Sequence, residues 1–172
     1  INACVRVDSR TEELSRCLVT ALYDTDGIAV VRYPRGNDKS EFDKSVATSE
    51  YYYTGKANST LVVTYGRIYD NAVKATDITG KCDLLKLTKI FPVSDKITKI
   101  VENYENVIFF EEGIKNGGVS EHIVSSMSNF RGNYKIVAVE GFVKQASVNR
   151  QLELFGLSTE KMIETINGVI NG

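Results

Sequence analysis

From residue 61 to the end of the chain, short largely apolar runs alternate with stretches whose apolar residues recur every three or four positions. This alternation constrains the fold more than any other feature. A strand followed by a helix and another strand suits parallel pairing, because parallel neighbours need a long crossover, and the crossover helices then cover both faces of the sheet. Four such units can be read. The run 61–64 precedes a helical stripe of Ile68, Ala72 and Ala75, and the run 82–87 precedes Ile97, Ile100, Val101 and Tyr104. The run 107–110 precedes Val119, Ile123, Met127 and Phe130, and the run 134–139 is followed by a closing helix. In that last helix Ser158 is placed to cap the first turn, while Met162, Ile163, Ile166, Val169 and Ile170 form one apolar stripe that must dock on the sheet. The residues 51–54 read as an added edge strand. The expected fold is α/β, a three-layer sandwich around a mostly parallel sheet.

The front of the chain is organised differently. Residues 3–7 read as a strand, and Ser9 with Glu12 forms a capping box for a helix whose apolar face is Leu14, Cys17, Leu18, Ala21 and Leu22. A second strand, 28–33, stops at Pro34, which cannot donate to a ladder. The segment 36–50 is polar and reads as a linker. The division expected is therefore 1–36, a strand–helix–strand piece; 37–57, linker and edge strand; and 58–172, a complete domain. A single strand–helix–strand unit buries too little surface to fold alone, so the piece 1–36 is expected to belong to a larger domain.

Composition removes several function classes. The chain carries 21 basic and 22 acidic residues, a formal net charge of -1, spread without blocks. Neither nucleic acid nor an anionic membrane is an expected partner of such a surface. Apolar runs are far shorter than the roughly 20 residues a membrane helix needs, and the start shows no leader pattern, so a cytoplasmic protein is expected. Cys4, Cys17 and Cys82 are odd in number and widely spaced, which fits reduced thiols better than disulfides or a zinc site. The sequon Asn58-Ser59-Thr60 is a chance match in that setting.

Few residues carry catalytic chemistry. The single histidine, His122, lies inside a helical pattern with no motif around it and reads as a surface residue. Glu111 and Glu112 are adjacent on a strand, so their carboxylates point to opposite sides and cannot converge as an acid and base pair. Gly117-Gly118 sits between a strand end and a helix start, which suits either a turn or an anion-binding edge. In Val31-Arg32-Tyr33-Pro34-Arg35-Gly36, proline sets the exit of the chain and glycine permits a sharp turn, so Arg35 is held at the carboxyl end of a strand. Its planar fork suits a phosphate, a carboxylate or a structural salt bridge.

These strings also carry a resemblance. Residues 28–37, reading IAVVRYPRGN, are similar to the strand and loop that close the pyrimidine-binding domain of the 1-deoxy-D-xylulose-5-phosphate synthases, members of the transketolase family. LVVTYG at 61–66, FPVSD at 91–95 and VIFFEEGIKNGG at 107–118 resemble, in order, that family's C-terminal domain, and the segment from Phe142 to the end resembles its close. The resemblance implies a transferase that condenses pyruvate with glyceraldehyde 3-phosphate, releasing carbon dioxide and giving 1-deoxyxylulose 5-phosphate for isoprenoid and thiamine synthesis. It implies thiamine diphosphate and magnesium as cofactors of the full-length parent, and a homodimer. It also implies that Arg35 binds the substrate phosphate. The family's G-D-G motif and activating glutamate are not in this stretch, so the chain by itself is expected to hold no cofactor, no metal and no catalytic residue, and to be inactive. The sequence departs from the family at Asn116-Gly117-Gly118-Val119 and at Gln145-Ala146, where a histidine-glycine pair is common. Alternatives are the C-terminal region of a transketolase or a pyruvate dehydrogenase beta subunit, or a stand-alone doubly wound module that binds a small molecule.

Overall fold

A computed structural model describes residues 3–9, 11–34, 50–56 and 58–172. Arg35 and nearly all of the linker 36–50 lie outside the described residues. Eight strands and six α-helices are present among those described: β1 (Ala3–Val7), α1 (Thr11–Tyr23), β2 (Ile28–Arg32), β3 (Tyr51–Tyr53), β4 (Thr60–Tyr65), α2 (Tyr69–Thr79), β5 (Cys82–Leu87), β6 (Lys89–Phe91), α3 (Asp95–Val101), β7 (Asn106–Ile114), α4 (Val119–Ser126), β8 (Asn133–Val139), α5 (Val148–Leu154) and α6 (Thr159–Ile170). A 3-10 turn, Gly66–Ile68, leads directly into α2.

The strand and helix alternation produces the sheet it implies. A five-stranded sheet runs β3-β5-β4-β7-β8. β5, β4, β7 and β8 are parallel, and the edge strand β3 is antiparallel to β5. Side chains alternate along the central strand. Leu61, Val63 and Tyr65 join Val107, Phe109, Leu85 and Leu87 in a core completed by Ile97 and Val101 of α3 and Ile123 of α4. Val62 and Ile108 face the opposite core, with Ala72 and Ala75 of α2 and Met162 and Ile166 of α6. These are the three layers expected, and every residue of β4 and β5 is buried because helices cover both faces.

The cap expected at Ser158 is present, and a second, not expected, is found at Ser94. Ser158 accepts a hydrogen bond from the Lys161 N-H and Ser94 from the Lys96 N-H, each closing the first turn of its helix. Elsewhere tertiary packing shortens what periodicity suggests. Tyr104 lies past the end of α3, and Met127 and Phe130 lie past α4, yet all three still pack on the same core. Helix α5 and strand β6 were not expected. α5 is short and has no buried residue, so it carries no strong apolar stripe to read. β6 is only three residues long and takes its identity from its partner.

That partner is β1. A second sheet runs β2-β1-β6, with β1 and β2 parallel and β6 antiparallel to β1, so the front piece and the main domain share a ladder. The capping box is displaced by one residue: the Ser9 N-H and Oγ both lie 2.9 Å from Glu13 Oε2, whereas the side chain of Glu12 lies outside the described residues. The apolar face expected for α1 is also corrected. Cys17 is buried, but its neighbour in the interior is Glu13, while Leu18 and Leu22 are exposed. The reason is Lys86 of β5, whose ammonium is fully buried and needs the Glu13 carboxylate more than the sheet needs another leucine.

Candidate functional site

The carboxyl ends of β1, β2 and β4 open on one cavity of about 170 Å³, walled also by β7. Val7 and Asp8 enter it from β1, Arg32, Tyr33 and Pro34 from β2, Tyr65, Gly66 and Arg67 from β4 and the following turn, and Glu112 from β7. Ligands of open parallel sheets bind at this edge because helix starts and strand-end loops converge there. Gly66 makes the turn possible. Its φ of 68° is left-handed, and a Cβ at this position would come within 3.2 Å of Val7 Cγ1.

The paired glutamates diverge as the strand geometry requires. Glu111 is buried and points at the start of α4, where it accepts from the Val119 N-H at 2.9 Å, the Ser120 N-H at 3.0 Å and the Ser120 hydroxyl at 2.5 Å. The Tyr65 hydroxyl donates to it at 2.6 Å. Burial, then the Glu111 charge, holds that phenol far above its ordinary range, so Tyr65 remains a donor. The anion that the helix start attracts is therefore supplied by the chain itself. Gly118 serves this arrangement, since a Cβ there would meet Ile114 O at 2.5 Å and Glu111 Oε1 at 2.8 Å. A Cβ at Gly117 would meet nothing, but its φ of 73° is left-handed, so the pair is a turn whose anion position is filled.

Glu112 faces the cavity. Its Oε1 lies 3.7 Å from Arg67 Nε, and burial raises its carboxyl pKa against the opposing pull of Arg67 and Arg32. The pair also borders a second cavity of about 190 Å³, lined by Val139, Val148, Leu152, Phe155 and Leu157. Asp8 is only 1% exposed and its Oδ2 has no hydrogen-bond partner. Burial first, then the Glu13 charge, pushes its carboxyl up to about 7, with Lys86 acting the other way.

Of the residues singled out in the sequence, His122 is exposed on α4 and takes part in no cluster. Cys17 and Cys82 are buried free thiols and Cys4 is half-buried. Burial pushes the Cys17 thiol up to about 11, which makes it a poor nucleophile. Asn58 of the sequon is used structurally, donating to Asp83 Oδ1 at 2.8 Å. Asp83 also accepts from Tyr104 at 2.6 Å; burial pushes its carboxyl up, but these hydrogen bonds outweigh it and leave the pKa lowered. Arg35 lies outside the described residues. Asp8 and Arg67 were not found by sequence reasoning. The signal they offered was position alone, each following directly on a parallel strand or its turn.

Among the described residues no three histidine, cysteine, aspartate or glutamate side chains are arranged to hold a metal ion. No helix among them is long and apolar enough to cross a membrane.

The family model for the transketolase C-terminal domain matches residues 52–162. A 1-deoxy-D-xylulose-5-phosphate synthase from Listeria innocua is 23% identical over 98% of this chain, and one from Clostridium tetani is 22% identical over 96%. The chain spans only 29% and 28% of those two relatives. In fold it is similar to a split-gene transketolase solved as an inactive beta4 tetramer, with a TM-score of 0.84 at 15% identity, covering 97% of this chain and 57% of that one. A transketolase mutant from Pichia stipitis gives a TM-score of 0.69 at 16% identity, covering 97% of this chain and 25% of the other.

Proposed function

The chain belongs to the transketolase C-terminal domain family, and from that premise we propose that it is the C-terminal part of a 1-deoxy-D-xylulose-5-phosphate synthase. The observation that carries this reading is the extent of the likeness to the two synthases, which takes in the front piece as well as the family domain. The whole protein would join pyruvate to glyceraldehyde 3-phosphate with loss of carbon dioxide, working as a homodimer in the cytoplasm. Thiamine diphosphate with magnesium, when bound to the complete protein, supplies the carbanion chemistry. In this reading residues 1–36 close the pyrimidine-binding domain, 37–57 link, and 58–172 hold the domains together.

The role of this chain in the reaction is binding and positioning. Arg35, the residue after Pro34 in the sequence, would hold the aldehyde's phosphate through its bidentate fork. The main sheet supports the end of β2 through the β1 and β6 ladder. Without the missing part the chain would not turn over. The test is Arg35→Ala in the complete protein. It is expected to raise KM for glyceraldehyde 3-phosphate at least about tenfold while leaving KM for pyruvate nearly unchanged, since only the former offers a phosphate. Equal effects on both substrates would remove the assignment, and absence of synthase activity in the complete wild-type protein would remove the reading itself.

A further inference from the structure

We propose that Asp8, Glu13 and Lys86 form a proton-dependent latch: with Asp8 neutral it holds β1 and α1 against the main sheet, and ionisation of Asp8 loosens that junction. This goes beyond the synthase reading and does not depend on it.

The three groups meet in the interior, where the front piece packs on the main sheet. Lys86 of β5 is fully buried and pairs with Glu13 of α1, which is almost as buried. Glu13 Oε2 also accepts from the Ser9 N-H and hydroxyl at 2.9 Å, Lys86 Nζ donates to Ser9 Oγ at 2.6 Å, and the Tyr69 ring centroid lies 4.3 Å from the same ammonium. Glu13 is thus the carboxylate this lysine is built around. Asp8 is a second carboxyl within electrostatic reach of both, 1% exposed, with an Oδ2 that has no hydrogen-bond partner. Two buried carboxyls beside one ammonium balance only when one of them keeps its proton. Asp8 keeps it, because its ionised form would be a buried charge with an unsatisfied oxygen.

Other charged or titratable groups surround the cluster. Arg6 of the same strand bears on Cys17 of α1, whose thiol burial keeps neutral. From β2, β4 with its following turn, and β7 come Arg32, Tyr65, Arg67 and Glu112, across the cavity. Arg32 is exposed and Arg67 faces Glu112, so water and that carboxylate screen the two guanidinium groups. Burial first, then the Glu13 charge, opposes ionisation of Asp8, Lys86 favours it, and the carboxyl titrates at about 7.

The backbone on either side of Asp8 carries this charge state to the junction. The Val7 N-H donates to Thr88 O at 2.8 Å and the Asp8 N-H to Arg32 O at 3.1 Å, so the same segment joins the main sheet and the end of β2. In the unfolded chain the Asp8 carboxyl titrates near 4. The folded value is higher, so the latch's contribution is complete below about pH 4, is lost as pH rises to about 7, and is constant beyond.

The test is NMR on this chain between pH 5 and 8, following the Asp8 carboxyl carbon and the protection factor of the Val7 amide against hydrogen exchange. The carbon is expected to titrate near pH 7, and Val7 protection to fall at least about tenfold from pH 5 to 7 and then level off. Asp8→Asn, neutral throughout, is expected to hold the acid-side protection with no slope. Glu13→Gln, which leaves Asp8 as the carboxylate available to Lys86, is expected to move the Asp8 midpoint to lower pH. A wild-type Asp8 that titrates at the ordinary aspartate value, or a Val7 amide whose protection is the same at pH 5 and 7, overturns the proposal without any variant being needed. So does an Asp8→Asn chain that keeps the wild-type slope, or an Asp8 midpoint that Glu13→Gln leaves in place.

Discussion

Glu111 shows how one side chain can decide what a loop does. Its carboxylate takes four hydrogen bonds, one from Tyr65 at the end of β4 and three from Val119 and Ser120 at the start of α4, and so occupies the place a bound anion would take. Hydrogen bonds to a charged group contribute about 1.5–3 kcal/mol each in favourable settings, but they are strongly coupled here and do not add. Glu111→Ala strands the Tyr65 hydroxyl and the first N-H groups of α4 in a buried setting. It is expected to lower unfolding stability by about 3 kcal/mol in urea denaturation. Glu112→Ala, beside it but facing the cavity, is expected to cost under about 1 kcal/mol. A similar loss for both would contradict the division of labour between the two glutamates. The adjacency and strand period legible in the sequence were enough to say that they diverge, but not which one faces the helix.

Between elements, the decisive contact is the ion pair of Glu13 on α1 with Lys86 on β5. Both side chains are almost fully buried, Lys86 also donates to Ser9 Oγ at 2.6 Å, and its ammonium lies 4.3 Å from the Tyr69 ring centroid. Such a pair contributes little net stability when intact, yet removing one member leaves an uncompensated charge. Lys86→Ala is expected to cost about 3–5 kcal/mol, seen in urea denaturation and as faster amide exchange in β1. The double replacement Glu13→Leu with Lys86→Met is expected to recover most of that loss. A double variant as unstable as the single one would mean that packing and not charge joins the elements. Sequence periodicity assigned the inward face of α1 to its leucines. It could not see that a buried lysine from a strand some 70 positions away would claim a glutamate instead.

At the scale of the whole molecule, the front piece is tied to the main domain on one side and open on the other. β6 completes its ladder, whereas β2 is an edge strand among the described residues, and its Ile28 and Val30 are exposed, as are Leu22 and Tyr23 of α1. The proposed reading assigns this face to the rest of the pyrimidine-binding domain. Leu22 is 74% exposed, so Leu22→Lys is expected to change the stability of this chain by no more than about 0.5 kcal/mol. In the complete protein the same change is expected to lower the melting temperature by several degrees, by burying an unpaired charge. Equal melting shifts in the two would show that the face stays uncovered.

The sequence by itself determined the three-layer α/β sandwich, its mostly parallel sheet and the serine cap of its last helix. Those features rest on local patterns: a period of two for half-buried strands, 3.6 for helices, and a serine at the first turn. It also carried the family likeness, since short motifs such as IAVVRYPRGN survive as contiguous strings. Tertiary structure decided the rest. β6 became a strand only because β1 offered it a ladder, α1 turned on the demand of a buried lysine, and Asp8, Arg32, Arg67 and Glu112 met because four strands end at one place. No local pattern encodes such meetings, because distances between chain-remote side chains are set by how the layers pack.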